Sequence, residues 1–322
     1  IPSNDVLFVC YREGNDKAAE QNSEISKKQE DNLQKVKTVI NKAVERYSQT
    51  WKKQEDNYQK FRLNLSSECH GLDKAIITQN NKPVGSQIVT DLNKNTLQEH
   101  PFPNKTWDTC AVVGNGGILI NSSCGESIDS AQFVIRCNLP PLANGFEKHV
   151  GVKTDLVTAN PSIFLNKYGA LMGRRRPFVE SLHIYGNSLL LLYSFFNPAV
   201  SLRAIDAIND FESPIRPVFL NPDYLNSLFL FWRSLGLREA RLSTGLIMAS
   251  LALEICSNVH LYGFWPFSYH PHDLHPLTNH YYDNVQAKPQ VHAMPAEFDL
   301  LMRLHSQGVL RLHLGDCPTG GK

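Results

Sequence analysis

Cys110-Ala-Val-Val-Gly-Asn-Gly-Gly117 is a short apolar run that ends in three glycines within four residues. Ala111–Val113 reads as a buried strand entering a glycine turn, an arrangement that lets a nucleotide or phosphate approach the backbone. A tight structural turn is the plainer reading of the same glycines. The dinucleotide fingerprint is not present. After Gly114 and Gly116 it requires a glycine at 119, where Leu119 stands, and the next strand ends in Arg136-Cys137-Asn138 instead of an acid. A nicotinamide oxidoreductase is thereby excluded.

Working outward, Phe133–Ile135 reads as a second strand and Leu189–Tyr193 as another. Leu246–Ile255 is apolar all round, the mark of a buried helix, and Val259–Tyr262 reads as the strand that follows it. Pro295–His305 reads as a helix with proline in its first turn. Strands alternating with helices predict an α/β fold with a mostly parallel sheet flanked by helices.

Upstream the character changes. Residues 15–62 are polar, charged and poor in glycine, and KKQEDNLQKVK (Lys27–Lys37) returns as KKQEDNYQKFR (Lys52–Arg62). The offset of 25 residues is close to seven helical turns, which puts both copies on one face of a continuous helix. The apolar positions there, among them Val36, Ile40, Trp51, Tyr58 and Phe61, are too sparse for a strong coiled coil, so a helical spacer is expected. The predicted division is a polar, partly helical stem over residues 1–65 and a catalytic domain over residues 66–322. Residues 66–108 carry no clear pattern.

The 322 residues suffice for one large domain and an appendage. A net charge of +1 gives no reason to expect nucleic acid or an anionic membrane as partner. The early apolar run Val6–Cys10 is far too short to span a bilayer, and the chain starts at Ile1, as expected of a processed or truncated product. Seven scattered cysteines without a C-x-x-C pair, and sequons at Asn64, Asn104 and Asn121, fit an oxidising secretory compartment better than the cytosol.

Three further stretches could carry chemistry. Ser243-Thr244-Gly245 precedes the buried helix; it can cap it, and the free N–H groups there form an anion site. Between Ser268 and Asp283 stand His270, His272, His275 and His280. Zinc is disfavoured in this stretch, because Pro271 and Pro276 break regular ligand spacing and no Cys or carboxylate cluster completes the set, so His270, His272 and His275 read as a polar loop. His292 sits just ahead of a helix start, where the positive helix end favours the neutral imidazole a general base needs, and Glu297 falls in the first turn of that helix. Read alone, these two are a surface histidine and an ordinary helix-start glutamate.

Taken together and in order, these stretches resemble a known family. CAVVGNGGILINSSCGESIDSAQFVIRCNLPP (Cys110–Pro141) resembles the large sialyl motif of animal sialyltransferases, and RLSTGLIMASLALEICSNVHLYGFWPF (Arg241–Phe267) the small one. HYYD (His280–Asp283) resembles motif III, and His292 with Glu297 the very-small motif, His-x4-Glu. GNGGIL, RCNLPP, VTANPSI, GFWPF and HYYDNV are most similar to the α-2,8-sialyltransferase branch, especially its ganglioside and short-chain members.

The resemblance implies a single Rossmann-like, GT-A-like variant glycosyltransferase domain, anchored in the Golgi as a type II membrane protein through a segment not visible in this chain. It implies CMP-sialic acid as donor, a sialylated glycolipid or glycoprotein glycan as acceptor, no cofactor, and an inverting, metal-independent displacement; the sequence contains no Asp-x-Asp. Carried onto this chain, Asn115 and Asn138 hold the phosphate and ribose region of CMP. Ser243, Thr244 and Gly245 line the donor pocket, and Trp265 packs near the cytidine. His280 stabilises the departing phosphate, His292 is the general base, and Glu297 supports it. The implied disulfides are Cys110–Cys256 and Cys124–Cys317, with Cys137 a buried free thiol. Mixed charge before the large and small motifs argues for one or a few additions and against long polymers. Transfer onto galactose, and a catalytically silent glycan-binding protein on the same fold, are the alternatives; the intact His292 argues against the second.

Overall fold

The computed structural model describes residues 34–81, 100–102, 106–193, 197–238, 241–285 and 294–317. The chain divides into two compact units, Ile1–Ser48 and Gln49–Lys322. In the first, residues 34–47 form a helix. It ends before the second near-repeat, so residues 34–68 are not the continuous helix that the repeat offset predicts.

The second unit is built on a seven-stranded sheet whose order is β5-β4-β3-β2-β1-β6-β7. The strands are β1 (Trp107–Val113), β2 (Phe133–Arg136), β3 (Leu156–Ala159), β4 (Leu189–Leu192), β5 (Arg216–Phe219), β6 (Cys256–Tyr262) and β7 (Arg311–His313). Every neighbouring pair is parallel. β2, β3 and β4 are buried along their whole length, as strands covered by helices on both faces must be. The chain winds outward from β1 to β5, then crosses back to lay β6 on the other side of β1. The order therefore reverses between β1 and β6, and the crevice beyond the carboxyl ends of those two strands is where open α/β sheets bind ligands.

The expected α/β class holds, while β3, β5 and β7 emerge where no strand pattern is visible in the sequence. β5 contains Pro217 and lies at one edge of the sheet, and the three-residue β7 lies at the other. Proline is tolerated on an edge because one row of N–H groups there has no ladder partner.

Residues 51–65, expected to belong to the stem, pack into the second unit. Trp51 Nε1 donates to Leu310 O at 3.0 Å, and Gln54 N donates to Gly308 O at 3.1 Å. Tyr58 and Leu65 of the Glu55–Glu68 helix are fully buried, and the Tyr58 hydroxyl reaches the carbonyls of Leu253 and Cys256. Gly308 makes this approach possible: its φ is 68°, and a Cβ on it would stand 2.5 Å from Lys52 O. The structural division falls after Ser48, not after residue 65.

Two disulfides brace the sheet. Cys110 in β1 is bonded to Cys256 at the start of β6, and Cys124 to Cys317. Both pairings agree with the resemblance. Cys69 and Cys137 are buried free thiols, and burial pushes each up to about 12. Among the described residues, no helix is long and apolar enough to cross a membrane.

Candidate active site

The crevice between the ends of β1 and β6 is lined by backbone that only glycine allows. A Cβ on Gly114 would lie 2.9 Å from Gly263 O, one on Gly116 would lie 2.6 Å from the same atom, and one on Gly117 would lie 2.3 Å from Thr278 O. The glycines thus serve the protein's own packing: they let the loop after β1 press against the loop after β6 and the segment before His280. The structural-turn reading accounts for all three, and the candidate binding groups are side chains between and beside them.

Asn115 is one of these. Its Nδ2 donates to Cys137 O at 2.8 Å and its carbonyl accepts from Tyr281 N at 2.9 Å, which ties the ends of β1 and β2 to the His280–Asp283 loop. Its Oδ1 is buried and has no hydrogen-bond partner among the described residues, an acceptor left open at the mouth of the crevice. Asn138 follows β2 with φ 62°, a conformation asparagine tolerates. Its N–H donates to Thr158 Oγ1 at 2.9 Å, and its Oδ1 accepts from that hydroxyl at 3.2 Å. Arg136, just before, is fully buried and donates to the carbonyls of Val150 and Lys153 and to Thr154 Oγ1 at 2.8–3.0 Å. It anchors the end of β2 that carries Asn138.

The small-motif helix, Thr244–Ile255, begins at the same end of the sheet. Ser243 is its N-cap, and its Oγ accepts from Leu246 N at 3.1 Å. The N–H of Ser243 itself donates to Glu297 Oε1 at 2.7 Å. Capping thus satisfies the third helical N–H and leaves those of Thr244 and Gly245 as the helix's outward donors, an anion site. Gly245 is also sterically required, since a Cβ there would stand 2.8 Å from the ring of Phe264. Tyr193, near Thr244, is buried, and burial pushes its phenol up.

Glu297 is not the surface residue a helix-start glutamate suggests. It is 2 % exposed and links the Met294–Ser306 helix to the N-cap of the Thr244–Ile255 helix. Trp265 is also buried: its indole donates to Tyr269 O at 2.8 Å, and its ring meets Phe267 and Phe298 edge-on at 4.8 and 5.4 Å. It joins the loop after β6 to the last helix.

His280 is half-exposed and bridges to Gly116. Its Nδ1 lies 2.6 Å from Asp283 Oδ2, and its ring stacks on Tyr282 at 5.1 Å and 3°. The carboxylate fixes the imidazole through Nδ1, and Nε2 lies 3.3 Å from Asn279 Nδ2. Asp283 carried no role in the sequence reading, although its three-residue spacing from His280 was available as a signal. Two tyrosines were also missed. Tyr185 and Tyr281 donate to Pro140 O and Pro141 O at 2.5 and 2.6 Å, holding the turn after Asn138. Nothing in the sequence connects residues so far apart. Contacts thus run from Asn115 to the His280–Asp283 loop and from Gly245 through the Phe264 ring to Gly114, while Glu297 and Trp265 tie the last helix to the Ser243 turn and to the loop after β6. His292 lies outside the described residues. Of the sequons, Asn64 and Asn121 are exposed, and Asn104 lies outside the described residues.

The family model of glycosyltransferase family 29 (sialyltransferase) matches residues 46–309. The chain belongs to that family. This sialyltransferase is a glycosyltransferase whose donor is CMP-sialic acid. It is 43% identical over 272 residues to the human protein named alpha-2,8-sialyltransferase 8E, covering 80% of this chain and 72% of the relative. It is 41% identical over 274 residues to mouse alpha-2,8-sialyltransferase 8F, covering 80% of this chain and 69% of the relative. A mammalian sialyltransferase crystal structure superposes with a TM-score of 0.52 at 20% identity, covering 78% of this chain and 94% of that one, and so shares its fold. The family match begins at residue 46, close to the start of the second compact unit.

Proposed function

We propose that this sialyltransferase transfers sialic acid from CMP-sialic acid to the terminal sialic acid of a glycolipid or glycoprotein glycan, forming an α-2,8 linkage. The observation that carries this reading is the 43% identity, over 80% of the chain, to a protein named for that activity. Asn115 Oδ1, Asn138 and the outward N–H groups of Thr244 and Gly245 bind the ribose and phosphate of CMP. His280, oriented by Asp283, neutralises charge on the phosphate as CMP departs. His292, in the segment that leads into the Met294–Ser306 helix, takes the proton from the acceptor hydroxyl. The attack inverts the anomeric carbon and proceeds without a metal. CMP is already a good leaving group, so catalysis rests on positioning, deprotonation and charge neutralisation. Trp265 backs the pocket from beneath. The protein works in the Golgi lumen, held by an anchor outside this chain, with glycans on the exposed Asn64 and Asn121.

The test is product mass spectrometry with CMP-sialic acid and matched sialylated and sialidase-treated acceptors. One or a few added sialic acids are expected on the sialylated acceptor alone. Efficient transfer to terminal galactose, with none to sialic acid, would overturn the assignment.

A further inference from the structure

The loop between Trp265 and His280 is a closed hairpin. Tyr269 and Pro276 pair as an antiparallel bridge, Leu277 N donates to Ser268 O at 2.8 Å, and His270 N donates to His275 O at 2.9 Å. Pro276 therefore sits in the hairpin's stem and Pro271 at its turn, so the prolines shape the tip and do not break it. At that tip two imidazoles converge on one carboxylate. His270 Nδ1 lies 3.0 Å and His275 Nδ1 2.6 Å from the same oxygen, Asp273 Oδ1. One ligand atom from each of the three falls within 4.8 Å of the others.

We infer that His270, Asp273 and His275 form a binding site for a divalent transition metal of the zinc class, separate from the donor crevice. Two imidazole nitrogens and one carboxylate oxygen are the three-ligand set of an open zinc site, which leaves a fourth position for water. Metal–ligand bonds of about 2.0–2.2 Å place tetrahedral ligand atoms about 3.3–3.6 Å apart, so the two imidazole–carboxylate contacts need to open by about 0.3–1.0 Å. His270 and His275 are stacked at 4.7 Å and 18°, and one ring must turn to bring both nitrogens onto the ion. His275 is free to do so, with its side chain 51% exposed, while His270, at 16%, is held in place. The plainer account of the cluster is a carboxylate accepting two imidazole N–H bonds, and it predicts no metal uptake.

The experiment uses the whole chain, produced without a polyhistidine tag and stripped with chelator, and titrates it with Zn²⁺ alone by calorimetry. A site saturating near one equivalent is expected. Asp273→Ala and His275→Ala should each weaken it at least tenfold, and the control His183→Ala, at an exposed histidine elsewhere, should leave it unchanged. The variants' denaturation profiles establish that they are folded. No saturable zinc uptake, or uptake of equal affinity in Asp273→Ala and His275→Ala, overturns the proposal. The readout is binding, so it is independent of transfer activity and of the acceptor assignment.

Discussion

Replacing Glu254 by glutamine should stabilise this sialyltransferase at pH 8 and change it little at pH 5. Glu254 lies one residue from the end of the Thr244–Ile255 helix and is 4% exposed. Its Oε1 accepts from the Tyr224 hydroxyl at 2.8 Å, and its Oε2 is buried without a partner. The adjacent helix terminus also disfavours a negative charge. Burial pushes the carboxyl from 4.5 up to about 7, against the opposing pull of the Tyr224 hydrogen bond and the Arg62 charge. The folded value is above the unfolded one, so the native state holds the proton more tightly. Its contribution to stability is complete below pH 4.5 and is lost as pH rises through about 7. At 1.36 kcal/mol per pH unit, the interval amounts to about 3 kcal/mol. Glutamine is neutral throughout and escapes that loss, while its hydrogen bonds differ from those of the acid by about 1 kcal/mol. Denaturant unfolding at pH 5, 6.5 and 8 measures both proteins. If the glutamine variant loses as much stability between pH 5 and pH 8 as the parent, Glu254 is not the group that titrates.

Glu297→Ala leaves the buried Ser243 N–H unpaired and should cost about 1.5–3 kcal/mol in unfolding free energy while weakening CMP binding by calorimetry; Glu297→Gln, which keeps an acceptor, should retain more of both. His292→Ala should keep the fold and CMP affinity but lower kcat by roughly 10²–10⁴, measured by product mass, and near-normal turnover would move the base assignment to His280. Deleting residues 1–48 should leave donor turnover and thermal unfolding largely intact, whereas deleting 1–65 removes the buried Tyr58 and Leu65 and should give a markedly destabilised protein.

Strands long enough to show an apolar run, and the helix that is apolar on every side, were legible because burial on all faces leaves no polar residue in the pattern. The Leu156–Ala159 strand is no shorter than Phe133–Arg136 or Leu189–Leu192, but Thr158 interrupts its apolar run and it leads straight into Asn160-Pro161, which reads as a turn. The packing of residues 55–68 is not legible in the sequence because a helix packed through a few large side chains looks like a solvated one. Only Tyr58 and Leu65 of the Glu55–Glu68 helix are buried, among many charges. Of the proposed site, the candidate residues come from motif resemblance. Their supports do not. The bond from Ser243 N–H to Glu297, and the tyrosines on Pro140 and Pro141, join residues 45–140 positions apart, and no local pattern records such pairings.

Those supports explain why one helix can serve as the donor platform. Its two outward N–H groups are useful only if they do not move when charge develops on the departing phosphate, because a donor that must reorient returns part of its stabilisation. The Thr244–Ile255 helix is fastened at both ends. At its start Glu297 holds Ser243 from the Met294–Ser306 helix, and at its end Tyr224 and Arg62 hold Glu254 while Cys256 is bonded to Cys110 in β1. The same bonds couple the platform to its surroundings. Glu297, five residues after His292 in the sequence, anchors the Met294–Ser306 helix to the Ser243 turn proposed to bind the donor. A shift of the Thr244–Ile255 helix would carry that proposed donor turn with it, and the Glu297 carboxylate opposes such a shift through its bond to Ser243.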